Sequence, residues 1–252
     1  MSNLLRSKLI AVSSSRKTND SKSNSDFRVN LQASTSIQDA KSIAIKSITF
    51  PNVNPNVNQF NNELTFTSSV TGTFTVSVPE GQYSIEILIT AIESAVNAVS
   101  GNTLTITQDT LTGFLTYSVD IGTMVWFPTG LGQNVGFIDV DDSGTAPAQV
   151  YNATALNDLY GDKIIAIRST TLGDMANFID SVGNHFPVVD LVQVNVPYST
   201  QIFKDIDNFE LHEIDYLTDK NIQNIDIQLI NEKGNLIDLQ GLDFTMIIKV
   251  FY

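Results

Sequence analysis

The sequence predicts an all-β sandwich with one helix-bearing excursion, and three observations predict it. Segment after segment alternates apolar and polar residues with a period of two, while a single stretch switches to a helical period. Only 16% of the residues are charged against 42% hydrophobic, and the polar remainder is rich in Ser, Thr, Asn and Gln, as strand-rich surfaces are. At 252 residues the chain is long enough to bury a substantial core.

The front of the chain is the exception to the alternation. "MSNLLRSKLIAVSSSRKTNDSKSNSDFRVNL" is polar, serine-rich and basic, and residues 1–22 read as an unstructured arm carrying Arg6, Lys8, Arg16, Lys17 and Lys22. Residues 1–50 hold eight basic and three acidic residues, a net of +5, whereas the whole chain carries −13. No Lys or Arg occurs between Lys46 and Lys163. Such polarity suggests that the two ends face different surroundings, with a solvated tail as the alternative.

Strands begin with "DFRVNL" (26–31), where Phe27, Val29 and Leu31 share a face, and "SIAIKSITF" (42–50), whose phase slips near Phe50. The Pro-Asn and Asn-Asn clusters of 51–62 make a turn-rich connection to "ELTFTS" and "TGTFTVSV". Ile85, Leu88, Ile89, Ile92, Ala95, Val96 and Val99 then form a helical stripe, with Ser84 placed to cap it and Gly101 just past its end. "DTLTG" turns a hairpin, and residues 121–162 read as loops with short strands. "DKIIAIRST", "VVDLVQVNV", "NIDIQLINEKGNLIDL" and "FTMIIKVFY" complete the set, the last implying a C-terminus held in the core.

No constellation supports catalysis. With no cysteine there is neither a disulfide nor a thiolate metal site. His185 and His212 lack ligand spacing. "GLGQNVG" (130–136) lacks the Lys-Ser/Thr and the strand-to-helix context of a phosphate loop and reads as a flexible loop. "DVDDSG" (139–144) starts like a calcium loop, but Val150 stands where the bidentate Glu belongs, so it reads as a polar turn. Asn152 heads a formal glycosylation sequon, expected to go unused because no export signal is recognised. Trp126 reads as core. No run reaches the length of a membrane span, and no catalytic residue, cofactor or metal ligand is expected.

Taken in order, "SSSRKTNDSKSNSDFRVNL" with "AKSIAIKSITFPNVNPNVNQFNNELTF", then "VPEGQYSIEILITAIESAVNA", "ITQDTLTGFLTYSV", "IIAIRSTTL" and the ending "IDIQLINEKGNLIDLQGLDFTMIIKVFY" resemble the single jelly-roll penton (vertex) capsid proteins of virophages, large double-stranded DNA viruses and Polinton-like elements. The resemblance runs over most of the chain and rests on the order of segments; 121–160 matches nothing in it. It implies an eight-stranded jelly roll over 23–67 and 161–252. Residues 68–160 are then an outward-facing, helix-containing β-rich insertion, and 1–22 an inward arm. It also implies a structural protein of the virion, forming homopentamers at icosahedral five-fold vertices among capsomers of a double jelly-roll major capsid protein. The arm's expected contacts are those capsomers, minor capsid proteins or packaged DNA, and its removal is expected to spare the fold. Two other readings stay open. One is a host-attachment or glycan-binding spike using the loops of 121–160; the other is a glycoside-active enzyme using Asp139 and Asp141.

Overall fold

Two passages of chain, after Asn54 and before Asp162, divide the protein into unit 1 (Met1–Asn54 with Asp162–Tyr252) and unit 2 (Pro55–Gly161). The structure, a computed structural model, describes residues 6–32, 36–137, 141–142, 149–173, 178–179, 185–206 and 213–252, with backbone alone at 141–142, 149, 178–179 and 185–186. Unit 1 opens with β1 (Ser7–Ser13), β2 (Asp26–Asn30) and β3 (Ile37–Asn52). Unit 2 contains β4 (Glu63–Ser68), β5 (Gly72–Ser77), α1 (Ile85–Ser100), β6 (Leu104–Gln108), β7 (Leu115–Val119) and β8 (Met124–Trp126), followed by the short α2 (Leu131–Asn134), β9 (Asp141–Asp142) and β10 (Gln149–Asn152). The chain returns to unit 1 with β11 (Ile164–Arg168), β12 (Phe178–Ile179), β13 (His185–Phe186) and β14 (Val188–Gln193). It ends with β15 (Thr200–Asp205), β16 (Glu213–Ile222), β17 (Asn224–Asn231) and β18 (Thr245–Phe251).

Strand order makes unit 1 a jelly roll. One sheet runs β1-β18-β3, and β15 and β16 share the far side of β3, so that together they act as one interrupted strand. The other sheet runs β2-β17-β11-β14, and every pairing is antiparallel. Numbered along unit 1, the eight strands interleave as 1-8-3-6 and 2-7-4-5, the double Greek key of a jelly-roll sandwich. Period-two alternation sends Ile10, Val12, Phe27, Ile48, Ile227 and Ile248 into one core between the sheets. Along β3 the inward residues are Ile43 and Ile45, then Ile48 and Phe50. The change of parity falls at Lys46–Ser47, where the register to β18 shifts, earlier than the slip expected near Phe50.

Residues 7–13, expected as part of an arm, are β1, paired over its whole length with β18. Ile10 is 6% and Val12 0% exposed, so the segment is held by burial as well as by its ladder. The insertion starts at Pro55, not at residue 68, because β4 pairs with β5 and β8 and with no strand of the jelly roll.

Unit 2 has its own core. A three-stranded sheet, β10-β7-β6, and a four-stranded sheet, β5-β4-β8-β9, enclose Phe66, Tyr117, Trp126, Phe137 and the buried stripe Leu88, Ile92 and Val96 of α1. The helix begins at Ser84, whose Oγ accepts from the Ile87 N–H at 3.5 Å, and ends at Gly101 with φ of 66°. One turn apart on α1, Glu93 and Asn97 reach the free side of β6. The Ile106 N–H donates to Glu93 at 2.6 Å, and the Leu104 N–H to Asn97 at 2.7 Å. The helix thereby satisfies an edge that would otherwise lie open. "GLGQNVG" is not the flexible loop expected. It forms α2 and its flanks, with Leu131, Val135 and Phe137 fully buried, and a Cβ at Gly132 would sit 2.4 Å from the Phe127 carbonyl oxygen.

Asp226 on β17 fastens the turn that follows β11. It accepts from the Thr170 N–H (3.0 Å) and hydroxyl (2.7 Å) and from the Thr171 N–H (2.8 Å) and hydroxyl (2.6 Å). Burial pushes this carboxyl up, but the donors of Thr171 and Thr170 outweigh it and hold it below the usual carboxylate range. The stabilisation is therefore complete above the unfolded value near 3.8 and is lost as pH falls through the lower folded value. Asp226→Asn is expected to cost about 1–2 kcal/mol at pH 7, the site being half-exposed. The urea midpoints of wild type and variant should converge in acid; a gap unchanged at pH 2.5 to 3 would assign the loss to packing.

Candidate assembly surface

A sandwich of two open sheets has four edge strands, and the jelly-roll order fixes which they are. On one side lie β1 and β2, and on the other β14 and the β15–β16 strand. The chain passes from β1 to β2 through a 3-10 turn, Ser14–Arg16, so one short stretch builds the whole first side.

That stretch contains the five cations singled out in the sequence. Arg6 precedes β1 and is exposed; Lys8 lies within β1, half-buried; Arg16 closes the 3-10 turn, exposed. Lys17 donates to the Asn24 side chain, and Asn24 donates on to the Gly241 carbonyl at 2.8 Å and the Leu242 carbonyl at 2.9 Å. Lys22, 81% exposed, pairs with Asp26 at 3.5 Å. Arg28, part of the same basic front in the sequence but not among the five candidate contacts, is exposed on β2 at the same edge. Leu9, on the outward face of β1, is 62% exposed.

The opposite side is acidic around an apolar groove. Asp205, Glu213, Asp215 and Asp219 are exposed along β15 and β16. Of these, Asp205 pairs with Lys46 of β3 at 3.2 Å and Glu213 accepts from the Ser42 hydroxyl at 3.0 Å. The lysines of β15 and β16 are engaged as well. Lys204 reaches Asp190 at 2.6 Å and the Leu191 carbonyl at 2.9 Å, and Lys220 turns to the Gly173 carbonyl and over the Tyr216 ring at 4.8 Å. Between β14 and β15 lies a groove of about 390 Å³, walled by Ile164, Leu191, Ile202 and Phe203. Phe203 is 66% and Leu191 47% exposed, an apolar pair left in water at a strand edge. The signal that would have found this side is the run 205–219, with six acidic residues and no Lys or Arg.

The remaining candidates fall elsewhere. Trp126 is fully buried, stacked on Phe137 at 5.4 Å and 8°, so it offers no face to a sugar. Asn152 is exposed on β10 and accepts from the Thr116 hydroxyl at 3.0 Å. Asp139, Ser143, Gly144 and His212 lie outside the described residues, as do the side chains of Asp141 and His185. Among the described residues no group of three His, Cys, Asp or Glu is placed to hold a metal, and no helix is long and apolar enough to cross a membrane.

A solved structure similar to this chain is that of the selenomethionine-labelled mavirus penton protein. The two are 10% identical, the match covers 98% of this chain and 99% of that one, and the TM-score is 0.48. No family model and no curated protein matches the sequence. The jelly-roll assignment stands on this chain's own strand order. At the base of the insertion, Asp162 accepts from the side chain of Asn54 and from Asn231 at 3.0 Å, bonding the outgoing and returning passages to one another. Burial pushes the Asp162 carboxyl up despite those donors.

Proposed function

We propose that this protein is a structural capsid protein, the penton subunit of an icosahedral virion. Its copies close into a homopentamer at each five-fold vertex and contact the surrounding major capsid protein. The observation that carries the reading is the 1-8-3-6 and 2-7-4-5 strand order, interrupted between its third and fourth strands by a complete helix-bearing β-unit. The segment-by-segment resemblance of the sequence to vertex proteins supports it. Two packed sheets make a rigid wedge, and its two sides differ in charge, as head-to-tail contacts around a ring require. Unit 2 contains no Lys or Arg and suits a face turned to solvent or host. The basic residues 6–28 suit protein neighbours in the shell, whether the next copy in the ring, capsomers or minor capsid proteins, with packaged DNA as the alternative contact.

The reading is tested by the solution mass of the purified chain. Five subunits of 27.6 kDa give about 138 kDa, the mass expected by light scattering at low salt and high concentration. A stable trimer would overturn the vertex assignment in favour of a fibre or spike base.

A further inference from the structure

Resting on the vertex reading, we propose which surfaces meet: the basic β1–β2 side of one copy docks against the groove and acidic strip on the β14–β15–β16 side of the next. The occupant is a second copy of this chain because the chain itself supplies the complement. One side presents Arg6, Arg16, Lys17, Lys22 and Arg28 with an exposed Leu9; the other presents Asp205, Glu213, Asp215 and Asp219 with exposed Phe203 and Leu191. Each side thus offers both apolar and charged groups, and the charges are of opposite sign.

Both edges are also long: β1 has seven residues and β16 ten, about 23 and 33 Å of extended strand, enough for an interface of ordinary size. The sides sit at opposite ends of one sheet, with β18 and β3 between them. A contact using both is heterologous: every copy uses one side and leaves the other for its neighbour, so a ring is the closed form. The disposition of the acidic side's lysines fits this. Lys46 takes Asp205, and Lys204 and Lys220 are drawn to Asp190 and Gly173, which leaves Asp215 and Asp219 to the neighbour's cations. Across such a border, association weakens as salt rises.

Charge reversal on the full chain tests the pairing. Arg16→Glu with Lys22→Glu, or Asp215→Lys with Asp219→Lys, is expected to weaken ring formation at least tenfold, read as the concentration at which the ring appears. A chain carrying all four changes should form the ring again, which a general loss of fold would not permit. An equimolar mixture of the two double variants should assemble by alternation, and an odd-numbered ring cannot close that way. The absence of native cysteine allows a second readout. Leu9→Cys with Phe203→Cys, treated with a short bis-maleimide, is expected to give a ladder of covalent multimers, and either change alone no ladder. Rings that ignore the reversals and yield no ladder would overturn this surface while leaving the vertex reading in place. A chain that stays monomeric at every concentration and salt, and gives no ladder, would overturn both.

Discussion

Removal of residues 1–22 is expected to abolish the cooperative unfolding transition of unit 1. The deletion takes away β1, whose seven residues pair with Thr245–Phe251. It also takes the buried side chains of Ile10 and Val12, each worth about 1.5–3 kcal/mol of burial. Ser14 is lost with them. Its N–H donates to the Phe244 carbonyl at 2.9 Å and its hydroxyl to Asp243 at 3.0 Å, fixing the start of β18. Ladder bonds at about 0.5–1.5 kcal/mol each bring the loss into the range of a whole domain's stability, about 5–15 kcal/mol. The deletion would leave β18, an inner strand, as an open edge and invite aggregation. Calorimetry and circular dichroism of the truncated chain decide it: a preserved transition would show that β1 is dispensable and restore the idea of a detachable arm.

Trp126→Ala is expected to lower the melting temperature of unit 2 by about 15 °C or more, leaving a separate unit 1 transition where it was. Trp126 is the chain's single tryptophan and sits at the centre of an aromatic cluster. The rings of Phe66 and Tyr117 each lie 5.5 Å away and that of Phe137 5.4 Å. Truncating such a residue costs about 3–5 kcal/mol through lost transfer energy and the cavity left behind, and each kcal/mol moves a domain of this size by about 4–8 °C. Differential scanning calorimetry reads both transitions. A shift of the unit 1 transition by the same amount would show that the units unfold together.

Period-two and helical patterns were legible wherever one face of an element meets a core and the other meets water. Phe27 and Val29 of β2, the stripe of α1 and the inward residues of β17 announce themselves in that way. The elements that escaped are edges. In "KLIAV" of β1 the apolar residues fall on both faces, because Leu9 and Ala11 lie on the outer side while Ile10 and Val12 are inside. The surrounding Ser and Lys then make the segment look like a tail. In β16, Ile214 and Tyr216 pack on the core, but Asp215, Leu217 and Asp219 face out, and a register shift between Asp215 and Lys220 blurs the period. The same edges make up the candidate site, so what hid the strands hid the site. Its basic half was visible as composition. Its acidic half was present in the run 205–219, but the groove needed the strand order, which brings β14 next to the β15–β16 strand and so sets Leu191 beside Phe203 in one wall. The boundary of the insertion was hidden for another reason: "ELTFTS" alternates well, and only its pairing with β5 and β8 says which unit it serves.

Because the sandwich itself holds the two ends of the insertion together at the Asn54–Asp162 bond, the entropy of closing that connection grows only slowly with the length of chain between them. What lies between positions 54 and 162 can therefore change in length at little cost to the sandwich. A shorter, longer or different unit can be tied in at these two positions while the strand order of the sandwich stays as it is.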